Sequence, residues 1–202
     1  MEENTKKTQK QTENAIGKEN KIVTGVIWQQ LLLFFFPILF GTFFQQLYNA
    51  ADAVIVGRFV GKEALSAVGG GTGTLIQLLV GFFVGLSSGA TVIISQYYGA
   101  KRAEMVGYAV HTSIAFSLVA GVGMMIVGIT AAPWALRAMS TPEDILGPAT
   151  TYIRIYFLSI PFMTIYNFGA AALRSFGDSR RPMYYLFISG IVNVILNLVL
   201  VI

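Results

Sequence analysis

Cysteine is absent from the chain, which excludes disulfides and thiolate metal sites and removes any reading of redox compartment. Histidine occurs once, as His111 in an apolar segment with no second imidazole nearby, where packing is the expected role. Charge is scarce too: Asp, Glu, Lys and Arg make up 12% of the chain, against about 25% in a soluble domain. Acid is scarcer still, and Asp52, in Q-Q-L-Y-N-A-A-D-A-V-I-V-G, is the one acidic residue deep within an apolar stretch.

Apolar residues stand in their place, at 54% of the 202 residues. They run in stretches longer than the roughly 20 residues that cross a bilayer as a helix. The fold class is therefore all-α, a polytopic transmembrane helical bundle in a cell membrane, with the lipid bilayer as its first partner. The net charge of +4 does not point to nucleic acid, because the basic residues lie in loops and not on one amphipathic face.

Five spans are expected, at about 25–57, 66–97, 105–132, 145–174 and 182–202. Residues 1–21 are polar and of mixed charge and read as a disordered tail, too acidic for a transit peptide. Pro37 and Pro161 fall inside spans, where the missing N–H gives kink points. Lys and Arg crowd the tail, the 98–104 loop (Lys101, Arg102) and the 175–181 loop (Arg180, Arg181), so the N-terminus is expected in the cytoplasm. Arg154, in the outer part of the fourth span, is expected to snorkel outward. The last span stops while still apolar, without a helix end signal, as the N-terminal part of a longer, transporter-sized chain would.

A carboxylate in hydrocarbon is costly and marks a functional site by default. Gln45, Asn49 and Asp52 share one helical face at i, i+4, i+7, with Tyr48 beside them. Ser189, Asn193 and Asn197 repeat at i, i+4, i+8 in the fifth span. Tyr152, Tyr156 and Ser159, then Tyr166 and Asn167, line a face of the fourth, and Thr74, Gln77, Gly81, Gly85 and Ser88 a stripe of the second. Such groups can glue helices together by hydrogen bonds; Asn or Asp on several helices also suits the lining of a wet cavity for ions and polar substrate groups. Gly69-Gly70-Gly71-Thr72-Gly73 lacks the G-K-[ST] ending of a phosphate loop and lies in an apolar segment, which excludes a nucleotide site. Gly81, Gly85 and Gly89 form successive G-x-x-x-G steps, expected to pack closely against another helix.

The segments P-I-L-F-G-T-F-F-Q-Q-L-Y-N-A-A-D-A-V-I-V-G-R-F-V-G, A-L-S-A-V-G, G-L-S-S-G-A-T-V-I-I-S-Q-Y-Y-G-A and A-L-R-S-F-G-D-S-R-R-P-M-Y together resemble the multidrug and toxic compound extrusion (MATE) family, from about residue 25 to the end. The resemblance implies two six-helix lobes, of which this chain would supply the first five helices of one. It implies no enzyme activity and no cofactor, but a secondary transporter exporting cationic, amphipathic compounds by alternating access in exchange for H⁺ or Na⁺. It implies that Asp52 couples ion movement to transport, with Asn193 and Asn197 beside it, and that no metal is held beyond a Na⁺ near Asp52. Gln45, Tyr48, Asn49, Gln77, Tyr156, Tyr166 and Asn167 would line the substrate cavity. Some members carry Asp where Asn197 stands, so this lobe would hold one intramembrane acid and not two. A lipid-linked saccharide flippase of related architecture, a membrane-embedded lipid-modifying enzyme and a channel-forming oligomer are the alternatives; an enzyme of that kind would want several converging acids or histidines.

Overall fold

A computed structural model of the protein describes residues 26–201; the tail expected over 1–21 lies outside the described residues. Helix α1, Ile27–Ile55, runs directly into a five-residue π-helical turn, Val56–Val60. Gly61, at φ 113°, ends that turn and leads into the short α2, Lys62–Gly69. Then come α3 (Gly71–Gly99), α4 (Ala103–Ala138), α5 (Glu143–Ser175) and α6 (Arg180–Val201). Five of these elements, all but α2, are long and apolar enough to cross a membrane.

The second span, expected to run unbroken over 66–97, is interrupted at Gly70. The backbone there leaves the helical region at ψ −126°, and a Cβ would stand 2.9 Å from the Ser66 carbonyl oxygen. Glycine meets that constraint without a clash.

The three tight turns that reverse the chain share one construction. After α5 the Gly177 N–H donates to the Arg174 carbonyl (2.9 Å) and the Asp178 N–H to the Leu173 carbonyl (3.0 Å), the paired bonds of a Schellman cap. After α3, Lys101 and Arg102 donate to Tyr98 and Tyr97; after α4, Ser140 and Thr141 donate to Arg137 and Leu136. The left-handed position is Gly177 in one turn but Lys101 (φ 57°) and Ser140 (φ 58°) in the others. Asp178 then caps the next helix: its Oδ1 accepts the Arg180 and Arg181 N–H groups, each at 3.1 Å. The G-D-S-R-R-P run is thus one helix stop and one helix start in succession.

Helix α5 is the centre of the lobe. Its buried residues recur at steps of three and four from Leu146 through Ile153, Ile160 and Phe168 to Ser175. Against this face pack α4 along its length, α3 and the short α2. Phe83, Ala132 and Leu136 close the core over Ile153, Phe157 and Ile160. Lipid is as apolar as leucine, so close packing and interhelical hydrogen bonds must hold such helices together. Gly121 lies on the backbone at Pro161, where a Cβ would come within 2.8 Å of the Pro161 Cα, and Gly128 lies on the Phe157 ring. Beside that crossing the buried Thr164 hydroxyl donates to the Ser117 carbonyl at 2.9 Å, and Ser175 reaches the Thr91 carbonyl of α3 at 3.1 Å.

Arg154, expected to snorkel outward, is exposed and bonds across to α4. Pro133, inside α4, has no N–H to offer the carbonyl four residues back, that of Ile129. The Arg154 Nε of α5 donates to that carbonyl at 3.1 Å. The arginine replaces, from the neighbouring helix, the bond that the proline removed.

Helix α1 packs on α6 and not on its sequence neighbours, and the pair meets the rest of the bundle through the π turn and a narrow α5–α6 contact. Neither the glycine stripe nor the histidine meets a partner among the described helices. A Cβ at Gly81, Gly85 or Gly89 would meet nothing within 4 Å, so that stripe faces away from the described helices. His111 is exposed on α4 and not packed.

Candidate functional site

Helices α1 and α6 run parallel and meet in register. The α6 residues facing Gly41 are Met183 and Leu186; Phe44 meets the Phe187 ring at 5.0 Å between centroids, and the Tyr48 ring lies on Gly190. One turn further along, Asp52 meets the two asparagines. The Asn197 Nδ2 donates to Asp52 Oδ1 at 2.5 Å. With its amide nitrogen turned to the carboxylate, the orientation that pairs donors with acceptors, Asn193 donates to Oδ1 at 2.8 Å and Oδ2 at 3.1 Å. Sequence periodicity alone placed these asparagines on one face of a helix; the parallel packing of α1 on α6 brings them to the carboxylate.

The Asp52 carboxylate is half-buried, and among the described residues no lysine or arginine forms an ion pair with it. Tyr48 of α1 and Tyr152 of α5 stand close enough for their phenols to interact electrostatically with it. Tyr152 belongs to the polar face of the fourth span but not to the candidate cavity set, and it is the half-buried α5 phenol within electrostatic range of Asp52. Immediately beyond Asp52, the Val56 N–H bonds to the carbonyls of both Ala53 and Asp52 as the helix widens into its π turn. Such turns interrupt the regular ladder and often occur at functional positions.

The other candidates divide. Gln45 is half-buried on α1, three residues before Tyr48. Asn49 turns aside and donates to Gln46 Oε1 at 3.3 Å on an exposed face. Tyr156 is half-buried and donates to the Met163 sulfur at 3.9 Å. The Tyr166 hydroxyl donates to the Pro182 carbonyl at 3.3 Å, tying α5 to the start of α6. Asn167 is half-buried, and Gln77 is exposed on α3 along with Thr74, Gly81, Gly85 and Ser88. No group of His, Cys, Asp and Glu able to hold a metal occurs among the described residues.

A family model for MatE matches residues 37–199, from Pro37 in α1 to Val199 in α6. The chain belongs to the MatE family. The Probable multidrug resistance protein YoeA of Bacillus subtilis (strain 168) is 34% identical over 175 residues, which cover 87% of this chain and 38% of YoeA. Among solved structures, "Crystal structure of MATE in the straight conformation" aligns with a TM-score of 0.81 at 26% identity, over 89% of this chain and 40% of that one. "Crystal structure of MATE in the bent conformation" aligns at 0.79 and 26%, over the same shares. The chain thus spans about two-fifths of the length of the MatE relatives it matches. The MatE relatives are transporters, which sets aside the membrane-embedded enzyme.

Proposed function

We propose that this MatE chain forms most of one lobe of an ion-coupled efflux transporter for cationic, amphipathic compounds, with Asp52 as the coupling residue. The observation that carries the reading is a carboxylate inside an apolar helix held by two amides, with no lysine or arginine paired to it among the described residues. A charge at the bilayer centre costs about 2.5–3.5 kcal/mol on insertion scales. A mobile cation can relieve that cost, and the site can take either candidate. A proton on Asp52 turns the carboxyl into a donor for an asparagine oxygen. Half a turn of the Asn193 amide presents its oxygen beside the carboxylate, which gives Na⁺ two oxygen ligands. Binding and release would bias two arrangements of α1, which contains Pro37 and is loosely attached to the α3–α5 core. Straight and bent forms recorded for a MATE protein of similar fold support a two-state element.

The exposed polar stripe on α3, with Gln77, then faces a second six-helix lobe across the substrate path, and alternating access is the movement of one lobe against the other. The N-terminus and the 98–104 and 175–181 turns lie in the cytoplasm. Asp52→Asn in the full-length transporter should abolish efflux driven by an imposed H⁺ or Na⁺ gradient while leaving membrane insertion intact. Wild-type efflux from that variant would overturn the proposal.

A further inference from the structure

We propose that Gly190 is a positioning residue for the ion site: it lets α6 approach α1 closely enough for Asn193 and Asn197 to reach Asp52. The inference rests on the coupling role of Asp52 proposed above. Gly190, Asn193 and Asn197 follow one another at i, i+3, i+7 and so share a helical face. Tyr48 and Asp52 are one turn apart on α1, about 6 Å along the axis. The parallel helices therefore meet in two adjacent layers, Tyr48 on Gly190 and Asp52 on the asparagines. The first layer sets the spacing of the second.

The contact leaves no room for a methyl group. A Cβ at Gly190 would stand 2.7 Å from the Tyr48 Cδ1, 3.3 Å from Cε1 and 3.5 Å from Cγ. The closest of these atoms, Cδ1, is bonded to Cγ at the root of the ring, so moving the hydroxyl tip relieves nothing. Either the whole ring leaves its rotamer or the helices separate. The amide–carboxylate bonds one turn away span 2.5 to 3.1 Å, and such bonds are lost within a few tenths of an ångström beyond 3.2 Å. Tyr48 and Asp52 stand one turn apart on the same face of α1, so a shift of either the ring or the helix is felt at the ion site.

The test uses the full-length transporter in reconstituted vesicles, with ethidium as the transported probe and an imposed Na⁺ or H⁺ gradient. Gly190→Ala should raise the concentration of driving ion needed for half-maximal efflux about tenfold, a size usual for coupling between groups in contact. The ethidium concentration giving half-maximal efflux should not move, which a general packing defect would not spare. In a Tyr48→Leu background the ring is gone, and adding Gly190→Ala should change nothing further. If the single variant fails to fold while the double variant folds, the clash with Tyr48 is established. An unchanged ion dependence in Gly190→Ala, additive effects of the two substitutions, or misfolding of both variants overturns the inference. Asp52→Asn run alongside separates the levels: wild-type efflux there removes the coupling role itself, whereas loss of efflux there with a silent Gly190→Ala removes the role of Gly190 alone.

Discussion

Glycines in this chain divide by what stands opposite them, and the division is sharp enough to test. Gly121 and Gly128 lie in the α4–α5 seam, where a Cβ would meet Pro161 and the Phe157 ring. Gly81, Gly85 and Gly89 meet nothing within 4 Å. Overpacking a tight seam costs about 1–3 kcal/mol, whereas alanine in an open helical position gains up to about 1 kcal/mol over glycine. Gly121→Ala and Gly128→Ala should therefore lower the unfolding temperature of the purified chain in detergent, and Gly85→Ala should leave it unchanged or raise it. Equal losses at all three positions would contradict this packing. The sequence alone did not single out Gly121 and Gly128, because G-x-x-x-G spacing marks a smooth stripe on a helix without saying which partner lies against it. Asp52, Asn193 and Asn197 were legible for the opposite reason: an acid and amides recurring inside an apolar run are costly unless they meet one another. Tyr152 carried the same signal within its stripe, but only the packing of α5 separates it from Tyr166, whose hydroxyl is engaged with Pro182.

Helices were legible from apolar run length, although α4 runs to Ala138, six residues past the expected end of the third span, and the second span breaks at Gly70. Pairing between helices was not legible, because no apolar stripe states which neighbour it faces. The link between Arg154 and Pro133 belongs to that pairing. From the sequence, Pro133 falls just past the expected end of the third span and Arg154 reads as a residue that snorkels outward. Together they complete one hydrogen bond, from Arg154 Nε to the Ile129 carbonyl. Interhelical bonds in membrane proteins contribute about 0.6–2 kcal/mol. Arg154→Met should destabilise the chain by about that much. In a Pro133→Ala background the restored backbone N–H can donate to the Ile129 carbonyl from within α4, and Arg154→Met should then cost much less. Unfolding temperatures of the four proteins in one detergent decide the matter. An equal loss in both backgrounds would show that the arginine acts through something other than the freed carbonyl.

The proposed orientation in the bilayer rests on connectivity and charge together. The turns at Gly99–Ala103 and Ser175–Arg180 lie at the same end of the bundle as the start of α1, since each long helix reverses the chain. That end carries Lys101, Arg102, Arg174, Arg180 and Arg181, with Asp178 as the capping acid. The opposite end carries Arg58, Lys62 and Arg137 against Glu63, Glu143 and Asp144, and both acids of the first turn of α5 lie there. Short-loop Lys and Arg are retained in the cytoplasm, and Asp and Glu count for little. Residues 1–202 hold no cysteine, so a thiol engineered into this segment is the only one within it. Single cysteines at Lys101 and Arg180 should resist an impermeant maleimide applied to whole cells and react once the membrane is opened, whereas one at Glu143 should react from outside. The reverse pattern would invert the lobe, put the basic turns outside, and turn the Asp52 site toward the other face of the membrane.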